Sequence, residues 1–134
     1  MMQDTFCMIK PDAVHKRYVG LILCELEPEL EIVKMEMMTL SPLLAEILYH
    51  EHVDKDFFDR LITFICSGPV VVMQIRAEFA IERLRVRIGA TNPAEAQPWT
   101  IRAKYGTDLP NNIIHASADV TAAKYELDFL NIIA

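Results

Sequence analysis

Lys10, Arg85, Thr91, Arg102, Asn112, His115 and Glu126 are residues of the types that handle phosphate. Lysine is a mobile point charge, and the planar fork of arginine matches phosphate oxygens. An imidazole beside such cations stays partly neutral near pH 7 and can attack phosphorus. His115 stands in "NNIIHASAD" (Asn111 to Asp119), behind two apolar β-branched residues and ahead of small ones. A neighbouring carboxylate would hold one ring nitrogen and leave the other free. Glu126, which borders the apolar face of the helix after His115, is a candidate for that role. Taken singly, each residue has a plainer reading. Lys10 could be a solvated strand end and Arg85 a surface charge. Arg102 could be a loop residue bonded to carbonyls, and His115 a buried structural ring. Spacing alone does not bring them together; a fold must.

The elements that would do so follow from periodicity. "TFCMIK" is apolar on both alternating faces, as a central strand is, and ends at Lys10 where Pro11 breaks the ladder. "VGLILCELEPEL" predicts a helix from Val19, disturbed by Pro28, and "EIVKMEMM" predicts a strand with one face in water. "SPLLAEILYHEH" opens with Ser41 as N-cap and Pro42 at the first helical position. "KDFFDRLITFICSG" is a further helix, stopped by Gly68 and Pro69, and "PVVVMQI" is the most strand-like run. "EFAIERLRVRIG" is a helix closed by Gly89, with Arg85 beside its apolar stripe while Arg83 and Arg87 point away. Residues 90–112 show no clear period and form a long loop of the kind that is usually functional or disordered. "NIIHAS" is a short strand. "DVTAAKYELDFL" is a helix N-capped by Asp119, with Val120, Ala123, Leu127 and Leu130 on its apolar face. This order predicts one α+β domain over 1–134: a ferredoxin-like split βαβ pattern with a four-stranded antiparallel sheet. Helices are expected to cover one face of the sheet, and a helical hairpin is inserted.

Composition limits the partners. The chain has 134 residues, is 52% hydrophobic and carries a net charge of −6. It has no general attraction for nucleic acid or for an anionic membrane. Phosphate binding must come from a local cluster of cations. The 3 cysteines, Cys7, Cys24 and Cys66, are widely spaced without a CxxC pair, so buried free thiols are expected rather than disulfides or zinc. With no signal-peptide pattern and no apolar run of transmembrane length, a cytoplasmic location is expected.

Over almost its whole length, from Thr5 to about Leu130, the chain resembles the nucleoside diphosphate kinases. The stretches that carry the likeness are "MIKPDAV", "YHEH", "FF" at Phe57–Phe58, "SGPVVVM", "IGATNPAEA", "TIR" and "NIIHAS", in order and at family spacing. The resemblance implies transfer of the γ-phosphate of a nucleoside triphosphate to a nucleoside diphosphate. The route is ping-pong, with Mg²⁺, through a phosphohistidine at His115. It places Lys10, Tyr49, Arg85, Thr91, Arg102 and Asn112 on the phosphates, the ribose and the transferring group, with His52 as a further phosphate contact. Phe57 would stack on the base with Leu109 on its other side, and Ser117 and Glu126 would orient the histidine. Mg²⁺ would be held mainly by the nucleotide phosphates rather than by protein side chains. The likeness also implies a homo-oligomer, a tetramer or hexamer built from dimers.

The chain departs from the family pattern at several points. The usual His-Gly-Ser-Asp run is His115-Ala116-Ser117-Ala118, so Asp119 would take over the helix cap one place later. "KPDG" is "KPDA". Trp99 replaces the glycine of "PGTIR" and could pack at a subunit boundary or make a simple surface or core contact. The turn "EPELEI" is one residue short and lacks its glycine. One competing reading is a non-catalytic relative that binds nucleotide or acts as a regulatory subunit. Another is a metal site built from His50 and His52 with Asp54 or Asp56.

Overall fold

The computed structural model describes residues 1–134. Strand β1 (Met2–Ile9) is followed by helices α1 (Pro11–His15) and α2 (Val19–Leu26), then β2 (Glu31–Met38). The hairpin α3 (Pro42–Leu48) and α4 (Phe58–Ile65) precedes β3 (Val70–Glu78) and α5 (Ala80–Ile88). Helix α6 (Ile101–Tyr105), strand β4 (Ile114–Ala116) and helix α7 (Val120–Ile133) complete the chain. The strands form one sheet in the order β2-β3-β1-β4, and every neighbouring pair is antiparallel. No helix is long and apolar enough to cross a membrane.

The helices cover both faces of the sheet rather than one. Strand β1 requires it: Cys7 and Ile9 pack into one apolar cluster and Phe6 and Met8 into another. The first cluster takes Ile22 and Leu26 of α2 and Leu84 and Ile88 of α5. The second takes Ala45 and Leu48 of α3, Ile62 and Ile65 of α4, and Phe129 and Leu130 of α7. A strand with no polar side can be stable only when both of its sides are dry.

Local signals place most of the ends. The Ser41 hydroxyl accepts from the Leu44 N–H at 3.2 Å, and Pro42 follows it. Asp119 accepts from the Ala122 N–H at 2.8 Å, so the cap of α7 has moved one residue along and has not been lost. Pro11 ends β1 and also opens α1, since its missing N–H costs nothing in a first turn. Helix α2 stops at Leu26, ahead of Pro28. The shortened turn after it is tied to α5: Arg83 donates to the Glu29 carbonyl at 3.1 Å and Arg87 to its carboxylate at 2.6 Å.

Two further expectations need correction. The stretch 90–112 is not without structure. It holds a 3-10 turn at Pro93–Glu95 and helix α6, whose N-cap Thr100 accepts from the Ala103 N–H. Five residues are too few for a helical period to show. Val120 lies outside the apolar face of α7 and is 67% exposed. The buried face is Ala123, Glu126, Phe129 and Leu130. Trp99 is half exposed and belongs to neither apolar cluster.

Candidate active site

His115 lies in β4 opposite Met8, on the sheet face covered by α3, α4 and α7. Its ring sits against Tyr49, edge-on with centroids 5.5 Å apart, and against Phe6 at 5.9 Å. Nε2 is 2.8 Å from Oε1 of Glu126, and the same oxygen accepts from the Ser117 hydroxyl at 2.8 Å. Glu126 is only 4% exposed, on the inward face of α7. An ionised carboxylate can only accept, so the tautomer that fits carries its proton on Nε2. Nδ1 then keeps its lone pair, and the side chain is 19% exposed.

A row of cations faces this ring's end of the sheet. Lys10 is 7% exposed and donates through Nζ to Oδ1 of Asn112 at 2.6 Å. Asn112 donates in turn to the backbone carbonyl of Thr91 at 2.9 Å, so Thr91 enters through its main chain. Burial lowers the Lys10 ammonium to about 8, and the Arg102 charge pushes the same way against Asp12. Arg102 is 9% exposed, and burial lowers it to about 10, with the nearby charge of Arg85 adding to the effect. Arg85 itself is exposed on α5. Two buried cations, each lowered first by burial and then by a neighbouring positive charge, form an arrangement that a bound polyanion would relieve.

Arg102 also has the plainer role. Its Nη1 donates to the Gly89 carbonyl at 3.1 Å and its Nη2 to the Ile114 carbonyl at 2.7 Å, next to His115. Only Nε is buried without a partner. Gly89, missed as a site residue, is what allows this. It has φ +95, and a Cβ there would lie 2.5 Å from Oγ1 of Thr100. A glycine closing a helical pattern is the signal that pointed to it.

An aromatic ladder leads outward from His115. The rings of Tyr49 and His52 are stacked at 6.3 Å, and those of His52 and Phe57 are tilted at 5.6 Å. The Tyr49 hydroxyl and Nδ1 of His52 are buried without partners. Burial, aided by the Glu126 charge, raises the Tyr49 phenol, which stays neutral as a donor. Phe57 is 43% exposed and Leu109 is 55% exposed, on separate segments. His50 and Asp54 are exposed, and no group of three or more His, Cys, Asp or Glu side chains could hold a metal. A surface cleft of about 620 Å³ opens between α5 and the start of α7; Arg85, Gly89 and Asp119 line it, and His115 does not.

One backbone feature was invisible in the sequence. Ile113, fully buried and β-branched, has φ +67. The Ile114 N–H donates to the Asn112 carbonyl at 2.9 Å across it, closing a three-residue turn of the strained kind. Such a residue costs about 1–3 kcal/mol and persists only where its surroundings over-determine it.

Known proteins resemble this chain in sequence and in fold. A family model described as nucleoside diphosphate kinase matches residues 3–131. The nucleoside diphosphate kinase of Archaeoglobus fulgidus is 44% identical over 127 residues, covering 94% of this chain and 84% of that protein. That of Methanococcus maripaludis is 44% identical over 128 residues, covering 95% and 96%. The solved Aquifex aeolicus nucleoside diphosphate kinase superposes with a TM-score of 0.93 at 37% identity, over 97% of this chain and 95% of that one. A halophilic nucleoside diphosphate kinase from Halobacterium salinarum, in complex with CDP, gives 0.92 at 40% identity, over 96% and 87%. The sheet order, the histidine paired with a buried carboxylate and these matches lead to one placement: the chain belongs to the nucleoside diphosphate kinase family.

Proposed function

We infer that this chain works as a nucleoside diphosphate kinase with His115 as the phosphate carrier. The observation that carries the reading is the His115 ring, held through Nε2 by a buried carboxylate, with the buried cations Lys10 and Arg102 bonded to Asn112 and to the Ile114 carbonyl of the same segment. Nδ1 attacks the γ-phosphorus, an N–P bond forms, and the bond to the β,γ-bridging oxygen breaks to release the diphosphate. A second diphosphate then attacks the phosphohistidine through its terminal oxygen and leaves as the triphosphate. Lys10, Arg85 and Arg102 offset the phosphate charge, and Asn112 fixes the Lys10 ammonium. Glu126 and Ser117 set the tautomer. Such a transfer asks chiefly for positioning and charge neutralisation.

The outer site is read the same way. Tyr49 and His52 offer unpartnered polar atoms to ribose or phosphate oxygens, and Thr91 edges the pocket. Phe57 would stack on the base with Leu109 opposite, an arrangement indifferent to base identity. The cation-rich donor set gives no oxygen cage for a hard metal, so Mg²⁺ would arrive on the nucleotide phosphates, where it neutralises charge. Incubating the protein with γ-labelled ATP and Mg²⁺ tests the reading. The expected result is an acid-labile, alkali-stable label that any added nucleoside diphosphate discharges. A label that GDP, CDP and UDP leave in place would refute it.

Lys10 sets an expected pH signature. A lysine whose folded pKa is lowered to about 8 from 10.5 loses its proton first in the native state. The rate constant kcat/KM should therefore fall about tenfold per pH unit above about 8. Stability should move the opposite way. Between about 8 and 10.5 the unfolded chain binds more protons, so stability rises with pH. Opposed slopes in rate and urea midpoint over that window support the assignment. A kcat/KM that is flat to pH 9.5 counts against it.

We also propose that the chain self-associates through β2. This strand is an edge of the sheet, and Val33, Met35 and Met37 are 38%, 50% and 55% exposed on it. An unpaired edge with exposed apolar side chains favours pairing with a second copy. Met35→Lys with Met37→Lys should lower the light-scattering mass toward the 15.3 kDa protomer. An unchanged mass at dilute concentration excludes this edge.

A further inference from the structure

We propose that Asp12 is a positioning residue whose carboxylate clamps the strained Ile113 turn and thereby aims both Asn112 and His115. This rests on His115 being the phosphate carrier. Lys10 and Asp12 hold the two sides of one residue. The Lys10 backbone N–H donates to the Ile113 carbonyl at 2.8 Å, and the Ile113 N–H donates to Oδ2 of Asp12 at 3.2 Å. Next in the chain, Arg102 donates to the Ile114 carbonyl at 2.7 Å. A β-branched residue at positive φ relaxes when a clamp is lost, and the obvious relaxation here is rotation of the Asn112–Ile113 peptide.

That peptide connects two parts of the site. On one side is Asn112, whose side chain carries the Lys10 ammonium at 2.6 Å. On the other, two residues along, is His115, held by Glu126. A rotated peptide would shift the cation and the nucleophile relative to one another. In a transfer governed by alignment, displacement of about 1 Å is worth about a hundredfold in rate. An ionised oxygen is the stronger acceptor for a lone N–H. Oδ1 of Asp12 is buried without a partner, and burial raises this carboxyl; the nearby Lys10 charge and backbone N–H groups, that of Ile113 among them, work against that cost.

Asp12→Ala and Asp12→Asn separate this role from others, because the asparagine retains an acceptor oxygen for Ile113. Three quantities are read: the single-turnover rate of His115 phosphorylation by ATP, the Kd for ADP, and hydrogen exchange at the Ile113 amide. In Asp12→Ala the transfer rate should fall about 10- to 100-fold. The ADP Kd should change by less than about threefold, and Ile113 should exchange at least about tenfold faster while β3 amides keep their protection. Asp12→Asn should stay within about threefold of wild type in rate and keep Ile113 protected. Wild-type exchange at Ile113 in Asp12→Ala overturns the clamp, as does an equal loss of rate in both variants. A proportional loss of ADP affinity and rate would make Asp12 a binding group instead. If wild type takes no label at all, the kinase reading fails, and the exchange measurement still decides the clamp.

Discussion

His115→Ala is expected to abolish the phosphoenzyme and to lower steady-state transfer by about four orders of magnitude or more. No neighbour can stand in for it. The Lys10 amine is bound to Asn112, and the Ser117 hydroxyl is spent on Glu126. His52 lies a ring further out, beyond Tyr49. Diphosphate binding should survive, because Lys10, Arg85 and Arg102 are untouched. The fold should survive too, at a cost of about 1–3 kcal/mol, since buried Glu126 loses one of its two donors. Isothermal titration with ADP and labelling with γ-labelled ATP measure the two halves. Wild type that labels no better than the variant would end the assignment, and lost ADP binding would mean that the substitution damaged the whole site.

Arg102→Ala should be the second most damaging change, and in two ways at once. Sequence reasoning expects nucleotide binding and turnover to fall together with the fold intact, because the arginine is read as a phosphate ligand. The structure adds a structural debt. Both Nη atoms satisfy backbone carbonyls, those of Gly89 and Ile114, and truncation leaves these acceptors unpaired. At about 1 kcal/mol or more for each such loss, stability should drop by about 2–4 kcal/mol. In a chain of this size that lowers Tm by about 5–12 °C. Turnover should drop about a hundredfold or more, from lost charge and from a loosened Ile114 carbonyl beside His115. Arg102→Lys should restore little, since an ammonium cannot span two carbonyls as the planar fork does. Unchanged Tm together with wild-type ADP affinity would remove Arg102 from both roles.

Much of this was legible because it is local. The apolar run in "TFCMIK" marks a central strand, Ser41 and Pro42 mark a helix start, and Asp119 marks a cap, since each signal acts within a few residues of itself. Helix α6 was not legible. At five residues it spans little more than one turn, too few to repeat a pattern, and its cap, Thr100, lies in a stretch dominated by prolines. Val120 was misplaced because the apolar face of α7 includes a carboxylate. Glu126 takes a core position that hydrophobic patterning assigns to a neighbour, and its two donors make the burial possible.

By itself the sequence determined the elements, their order, the residue types able to carry phosphate and, through quoted motifs, the family. Three things were decided only in three dimensions. Arg102 spends its fork on carbonyls 13 and 12 residues away. Lys10 meets Asn112 across 102 residues. Ile113 is held at positive φ by a carboxylate 101 residues distant. Hydrogen bonds of that separation leave no period, cap or spacing in the chain, because their geometry exists only once the sheet has brought β1 beside β4.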